Sequence, residues 1–84
     1  MRMHTAYKIM NSDTDKVVSL VWWNGSSIKC SSDHSLRALK QHTVDGLTYA
    51  DGKAFFDKIP SIYKSGYTYT EKTEVDEDGK LVHD

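Results

Sequence analysis

The fifteen residues from Lys16 to Cys30, KVVSLVWWNGSSIKC, constrain the fold more than any other part of the chain. They hold a run of β-branched and aromatic residues, then Asn24-Gly25, then a second short apolar segment. Asn-Gly tolerates two consecutive residues at positive φ, as a tight hairpin connection requires. Side chains alternate along a strand, so Val17, Ser19, Val21 and Trp23 share one face, while Val18, Leu20 and Trp22 share the other. A two-residue loop sets Val21 opposite Ile28; a four-residue loop over 24–27 sets Trp23 opposite Ile28 and Val21 opposite Cys30. Both registers put Ile28 and Cys30 on the Val21/Trp23 face, because only an odd-length loop changes the parity. That face is assigned to the core. The second face remains apolar at Val18, Leu20 and Trp22, so the strand is either central and covered or part of a sheet with an adhesive second surface.

The flanking segments complete a small α+β domain. Thr5 to Met10 reads as a first strand, with Tyr7 and Ile9 on one face, and Asn11 to Asp15 reads as a polar turn. Ser27 to Ser31 returns as the third strand of an antiparallel meander. Ser32 or Asp33 caps a helix to about Thr43, with Leu36 and Leu39 on its buried stripe and Val44 near its end. Thr48 or Asp51 caps a second helix whose apolar face is Phe55, Phe56 and Ile59; Pro60 interrupts it, with one tight turn expected over Ser61 to Lys64. Ser65-Gly66 turns the chain into a last strand from Tyr67 to about Val75, with Tyr67, Tyr69, Glu71 and Thr73 on one side. The order is therefore β-β-β-α-α-β: a mainly antiparallel four-stranded sheet with two short helices on one face. Residues 1–84 form one domain, and 76–84 is an acidic tail, either frayed or folded as a minor hairpin about Asp78-Gly79.

Charge divides along the chain. Residues 71–84 carry six acidic and two basic side chains, a balance of −4, whereas residues 1–70 carry nine basic and six acidic, a balance of +3. A surplus of that size is too small to make a nucleic-acid footprint by itself. The single cysteine excludes an internal disulfide and a multi-cysteine metal site, which favours a reducing, cytoplasmic setting. No apolar run approaches the roughly 20 residues of a membrane span, and no apolar core follows the basic start Met1-Arg-Met-His-Thr5.

The chain offers little for catalysis. Cys30 lies just before a helix N-terminus, and His34 stands four residues on, a spacing open to a thiol nucleophile and its base. Strand parity sends Cys30 toward the core, and packing is the favoured reading. Cys30 and His34 are at best half of a zinc site. Asn11-x-Asp13-x-Asp15 opens like a calcium loop, but Lys16 stands where the loop needs glycine and Trp22 where it needs glutamate. No enzyme activity, cofactor or metal is expected. Binding fits better. Trp22, Tyr63, Tyr67 and Tyr69 are residue types that dominate protein contacts, and with Lys72 they define the candidate surface. The expected function is a protein-interaction domain of adaptor or inhibitor type, acting on another protein or on a second copy. The alternative is a single-stranded nucleic-acid module in which bases stack on Trp22, Tyr67 and Tyr69, with Lys64 and Lys72 as the basic neighbours.

Overall fold

The computed structural model describes residues 2–64 and 66–82. Ser65 of the expected Ser65-Gly66 turn, His83 and Asp84 of the tail, and Met1 lie outside the described residues. The fold is α+β: a four-stranded antiparallel sheet with a few short helices. Strands β1 (His4–Asn11), β2 (Val17–Trp23) and β3 (Ile28–Cys30) form the meander, and β4 (Thr68–Val75) pairs on the far side of β1. The spatial order is β3-β2-β1-β4. The chain therefore travels from one sheet edge to the other between Ser31 and Tyr67, and every helix lies on that crossing. This route is why one face is covered and the other is not.

The helical segment is more broken than the expected pair. Helix α1 (Asp33–Lys40) is capped by Ser32, whose Oγ accepts from Ser35 N at 3.2 Å. It ends at Lys40 rather than near Thr43. Asp45 and Gly46 adopt φ values of 52° and 79°, forming a tight turn in which Val44 and Leu47 exchange backbone hydrogen bonds. Asp-Gly closes its own small hairpin and leaves the helix too short to include Thr43. Thr48 starts a single 3₁₀ turn (Tyr49–Asp51), its N–H donating to Asp51 Oδ2 at 2.7 Å. Gly52, at φ 63°, breaks the run, and α2 (Lys53–Asp57) starts after it. Pro60 sits in the first turn of a further helix, α3 (Ile59–Ile62), where its missing N–H has no intrahelical partner to lose. The element order is thus β-β-β-α-α-α-β.

The core lies between the helices and the face of Ile9, Val21 and Ile28, joined by Leu39, Phe55, Phe56 and Ile59. The Phe56 ring centroid lies 5.0 Å from that of Tyr7 and 6.5 Å from that of Trp23. The hairpin takes the four-residue loop: Trp23 pairs with Ile28, and Val21 with Cys30. The cause is the side chain of Asn24, whose Oδ1 accepts from Ser26 N, Ser27 N and Ser26 Oγ at 2.9, 2.8 and 3.1 Å. Those bonds hold a wider turn than the two-residue alternative.

Candidate functional site

Cross-strand partners share a face, so the register lays out the second surface rung by rung. The first rung runs Lys29, Trp22, Ala6, Thr73. The next runs Leu20, Lys8, Glu71. The third runs Val17, Met10, Tyr69. Between the last two, Ile9 pairs with Ser19 and Met10 with Val17, leaving Val18 as the extra residue of a bulge. That bulge ends the simple alternation of β2, and Val17 stands opposite Met10 rather than continuing the Ser19/Val21 row.

Burial along this surface is uneven. Its two ends are closed by the chain itself. At one end Ala6 and Val75 are fully buried, and the segment Asp76–Val82 folds back as a hairpin beside Trp22. Asp76 N donates to Lys80 O at 2.8 Å, Val82 N donates to Glu74 O at 3.1 Å, and Val75 bridges Leu81. The Asp76 carboxylate accepts from Lys80 N and Asp78 N, and these bonds, that to Lys80 foremost, hold its pKa below the ordinary carboxylate value. At the other end Met10 is buried, and Tyr69 Oη donates to Asp15 Oδ1 at 2.7 Å. That bond to a carboxylate raises the Tyr69 pKa, since the phenolate form would lose it.

Along β2 the surface stays open. Val17 and Val18 are 43% and 53% exposed, and Leu20 and Trp22 are half-buried. Lys8 and Glu71 lie opposite one another on the central rung, and Lys29 stands beside Trp22. The result is an apolar strip along β2 with charged neighbours on both sides, a core-and-rim arrangement suited to protein contact.

The aromatic surface expected from the sequence is distributed over the molecule. Trp22 and Tyr69 do share the open face, but the pairing sets them two rungs apart, on the order of 13 Å along the strands. Tyr67 precedes β4, is 77% exposed, and its carbonyl accepts from Ser12 N. Lys72 pairs with Tyr7 on the helix-covered face and lines a shallow groove of about 580 Å³ with Thr5, Thr73 and Glu74. Tyr63 follows α3 and packs on the helix-side core, its ring edge-on to His42 at 5.9 Å. Its pKa is raised by burial and then by the nearby Cys30. Thus Trp22 and Tyr69 stand on the open face, Tyr63 and Lys72 lie on the helix side, and Tyr67 lies just outside β4. Val17 and Val18 join that face instead. Val18 was readable from parity, but Val17 was hidden by the bulge.

Cys30 is half-buried, with its Sγ 3.3 Å from Ser19 Oγ, and Ser19 Oγ lies 3.4 Å from Ser31 Oγ. Ser19 is a polar residue 3% exposed on the core face, and these contacts satisfy it. His34 is exposed on α1 and forms no hydrogen bond with Cys30. Among the described residues no group of three or more His, Cys, Asp or Glu side chains converges as a metal site, and no helix is long and apolar enough to cross a membrane. Comparison with protein-family models, with curated proteins and with solved structures returns no match.

Proposed function

We propose that this chain is a non-enzymatic, cytoplasmic protein-interaction domain of adaptor or inhibitor type. It binds a partner protein on the open sheet face, with Val17, Val18 and Leu20 at the centre of the contact and Trp22 at one end. One observation carries this reading: all the helices cross a single face of the sheet, while the opposite face keeps a strip of large apolar side chains in contact with water. Isolated exposed apolar residues are ordinary; a row of them along one strand, flanked by Lys8, Lys29 and Glu71, is the pattern of a contact surface.

Single-stranded nucleic acid fits this face less well. Trp22 has Lys8 and Lys29 nearby, but Glu71 faces Lys8, and the adjoining hairpin carries Asp76, Glu77 and Asp78. A polyanion would meet those carboxylates on approach.

The test is Val18→Asp. It changes an exposed residue and leaves the core intact, whereas Trp22→Ala would also remove packing beneath the hairpin. Partner capture or concentration-dependent self-association, read by affinity isolation and sedimentation, should be lost in Val18→Asp and kept in Arg37→Asp on the helical side. Equal retention in the two variants would move the contact away from this face. Salt-sensitive binding of oligothymidine to the wild type, abolished in Lys8→Glu, would replace the protein reading with the nucleic-acid one.

A further inference from the structure

The hairpin Asp76–Val82 touches the open face in a way that its backbone bonding alone does not explain. Gly79 sits at φ 81°, and a Cβ built on it would lie 2.5 Å from both Cη2 and Cζ2 of Trp22. The glycine backbone is therefore laid directly against the edge of the indole, with no room for any side chain. Among the described residues the hairpin is held by the Val75–Leu81 bridge, the bond from Val82 N to Glu74 O, its own turn bonds at Asp76, and Arg2 N donating to Glu77 Oε1 at 3.1 Å. It adds no residue to the helix-side core. A hairpin that follows the last strand and adds nothing to the helix-side core is the kind of segment that opens locally without global unfolding.

We propose that Asp76–Val82 is a strap that gates the Trp22 end of the binding face. Closed, it places Gly79 on the indole and shortens the apolar strip to Val17, Val18 and Leu20. Open, it extends the strip along β2 by the whole face of Trp22 and removes three carboxylates, those of Asp76, Glu77 and Asp78, from beside it. The strap thus holds back both the largest apolar residue of the face and its approach. Its purpose rests on the protein-binding reading above, but its opening is measurable without any partner.

The experiment uses the full chain in a Trp23→Phe background, which leaves Trp22 as the only indole. Gly79→Ala forces a Cβ into the ring edge at a positive-φ position, and a gating strap gives way. Acrylamide quenching of Trp22 should rise clearly, and amide exchange at Lys80 and Val82 should quicken by about tenfold or more. Exchange at Val21 and Tyr7, in the paired centre of the sheet, should stay as in the parent. Asp76→Ala, which removes the acceptor for Lys80 N and Asp78 N and adds no bulk, should shift the same readouts in the same direction. Unchanged quenching and exchange in both variants would overturn the strap; so would global unfolding of both, which would make the hairpin part of the fold's cooperative core. Strap opening in the variants together with no partner capture at Val18 would overturn the binding reading and leave the strap standing. Partner capture at Val18 with a strap that never opens would overturn the strap alone.

Discussion

Val18 and Val21 are the same residue type three positions apart on β2, and their replacement by alanine should have very different consequences. Val21 is fully buried between Tyr7 and Cys30 in the sheet register, on the face packed by the helices. Val18 is 53% exposed on the bulge. Both substitutions lose the same intrinsic strand preference, so their difference isolates burial. Removing two methylene equivalents from the Val21 site forfeits about 1.6 kcal/mol of transfer free energy, and the cavity left between sheet and helices raises this to about 2–3 kcal/mol. Val18→Ala should stay within about 0.5 kcal/mol of the parent. A domain of this length has roughly 4–13 kcal/mol of stability, so both variants remain folded at room temperature. At about 4–8 °C per kcal/mol, Val21→Ala should melt roughly 10–20 °C lower. Urea unfolding followed by tryptophan fluorescence and circular dichroism gives the same comparison, with unchanged slopes and a lower midpoint for Val21→Ala alone. Equal destabilisation by the two variants would refute the one-sided sheet, because it would mean that the Val18 face is packed as tightly as the other.

Further outcomes follow from the caps and from the strap. Ser32→Ala removes the hydroxyl that caps α1 and should cost about 1 kcal/mol, a drop of roughly 4–8 °C in Tm; no change would mean that the cap lies elsewhere. Tyr49 Oη donates to Ile28 O at 3.0 Å, tying the 3₁₀ turn to the three-residue strand β3. Tyr49→Phe should lower stability by about 1 kcal/mol and loosen amide protection in β3 before β1. The depressed pKa of Asp76 fixes a sign: its contribution to closing the strap is complete above the ordinary carboxylate pKa and is lost as pH falls through the depressed value. Amide exchange at Lys80, corrected for the intrinsic pH effect, should therefore gain protection across the acid range as pH rises, and Asp76→Asn should flatten that dependence.

The sheet was legible because its signals are local and repeated. Alternation in β2, the Asn24-Gly25 turn and the apolar residues at 55, 56 and 59 all point to the same α+β arrangement. The loop length between β2 and β3 was open in the sequence, because Asn24 serves either turn, and only its three side-chain hydrogen bonds select the wider one. The break at Gly52 and the restart at Lys53 follow from a positive φ that no spacing rule specifies in advance. Pro60 was read as an interruption, yet a proline at the start of a new helix is as favourable as one at the end of an old one. The candidate surface was harder to read. Parity correctly grouped Val18, Leu20 and Trp22, but it cannot foresee a bulge, and the bulge brings Val17 opposite Met10. Parity assigned the covered face correctly and set Lys72 on the face of β4 opposite to that of Tyr69, but the position of Tyr63, beyond α3 on the helix side, follows from the crossing and from no local pattern. The packing of Gly79 on Trp22 joins residues 57 positions apart, a contact that no pattern within either segment encodes.

The central claim is that the face opposite the helices is the one that meets a partner. A photo-reactive phenylalanine analogue placed at position 18, and in a control chain at position 37 on α1, tests it most directly when each is irradiated in the cell of origin. A discrete covalent adduct from position 18 and none from position 37 is the expected result. A clean adduct from position 37 with none from position 18 would contradict the account and shift the contact to the helical side.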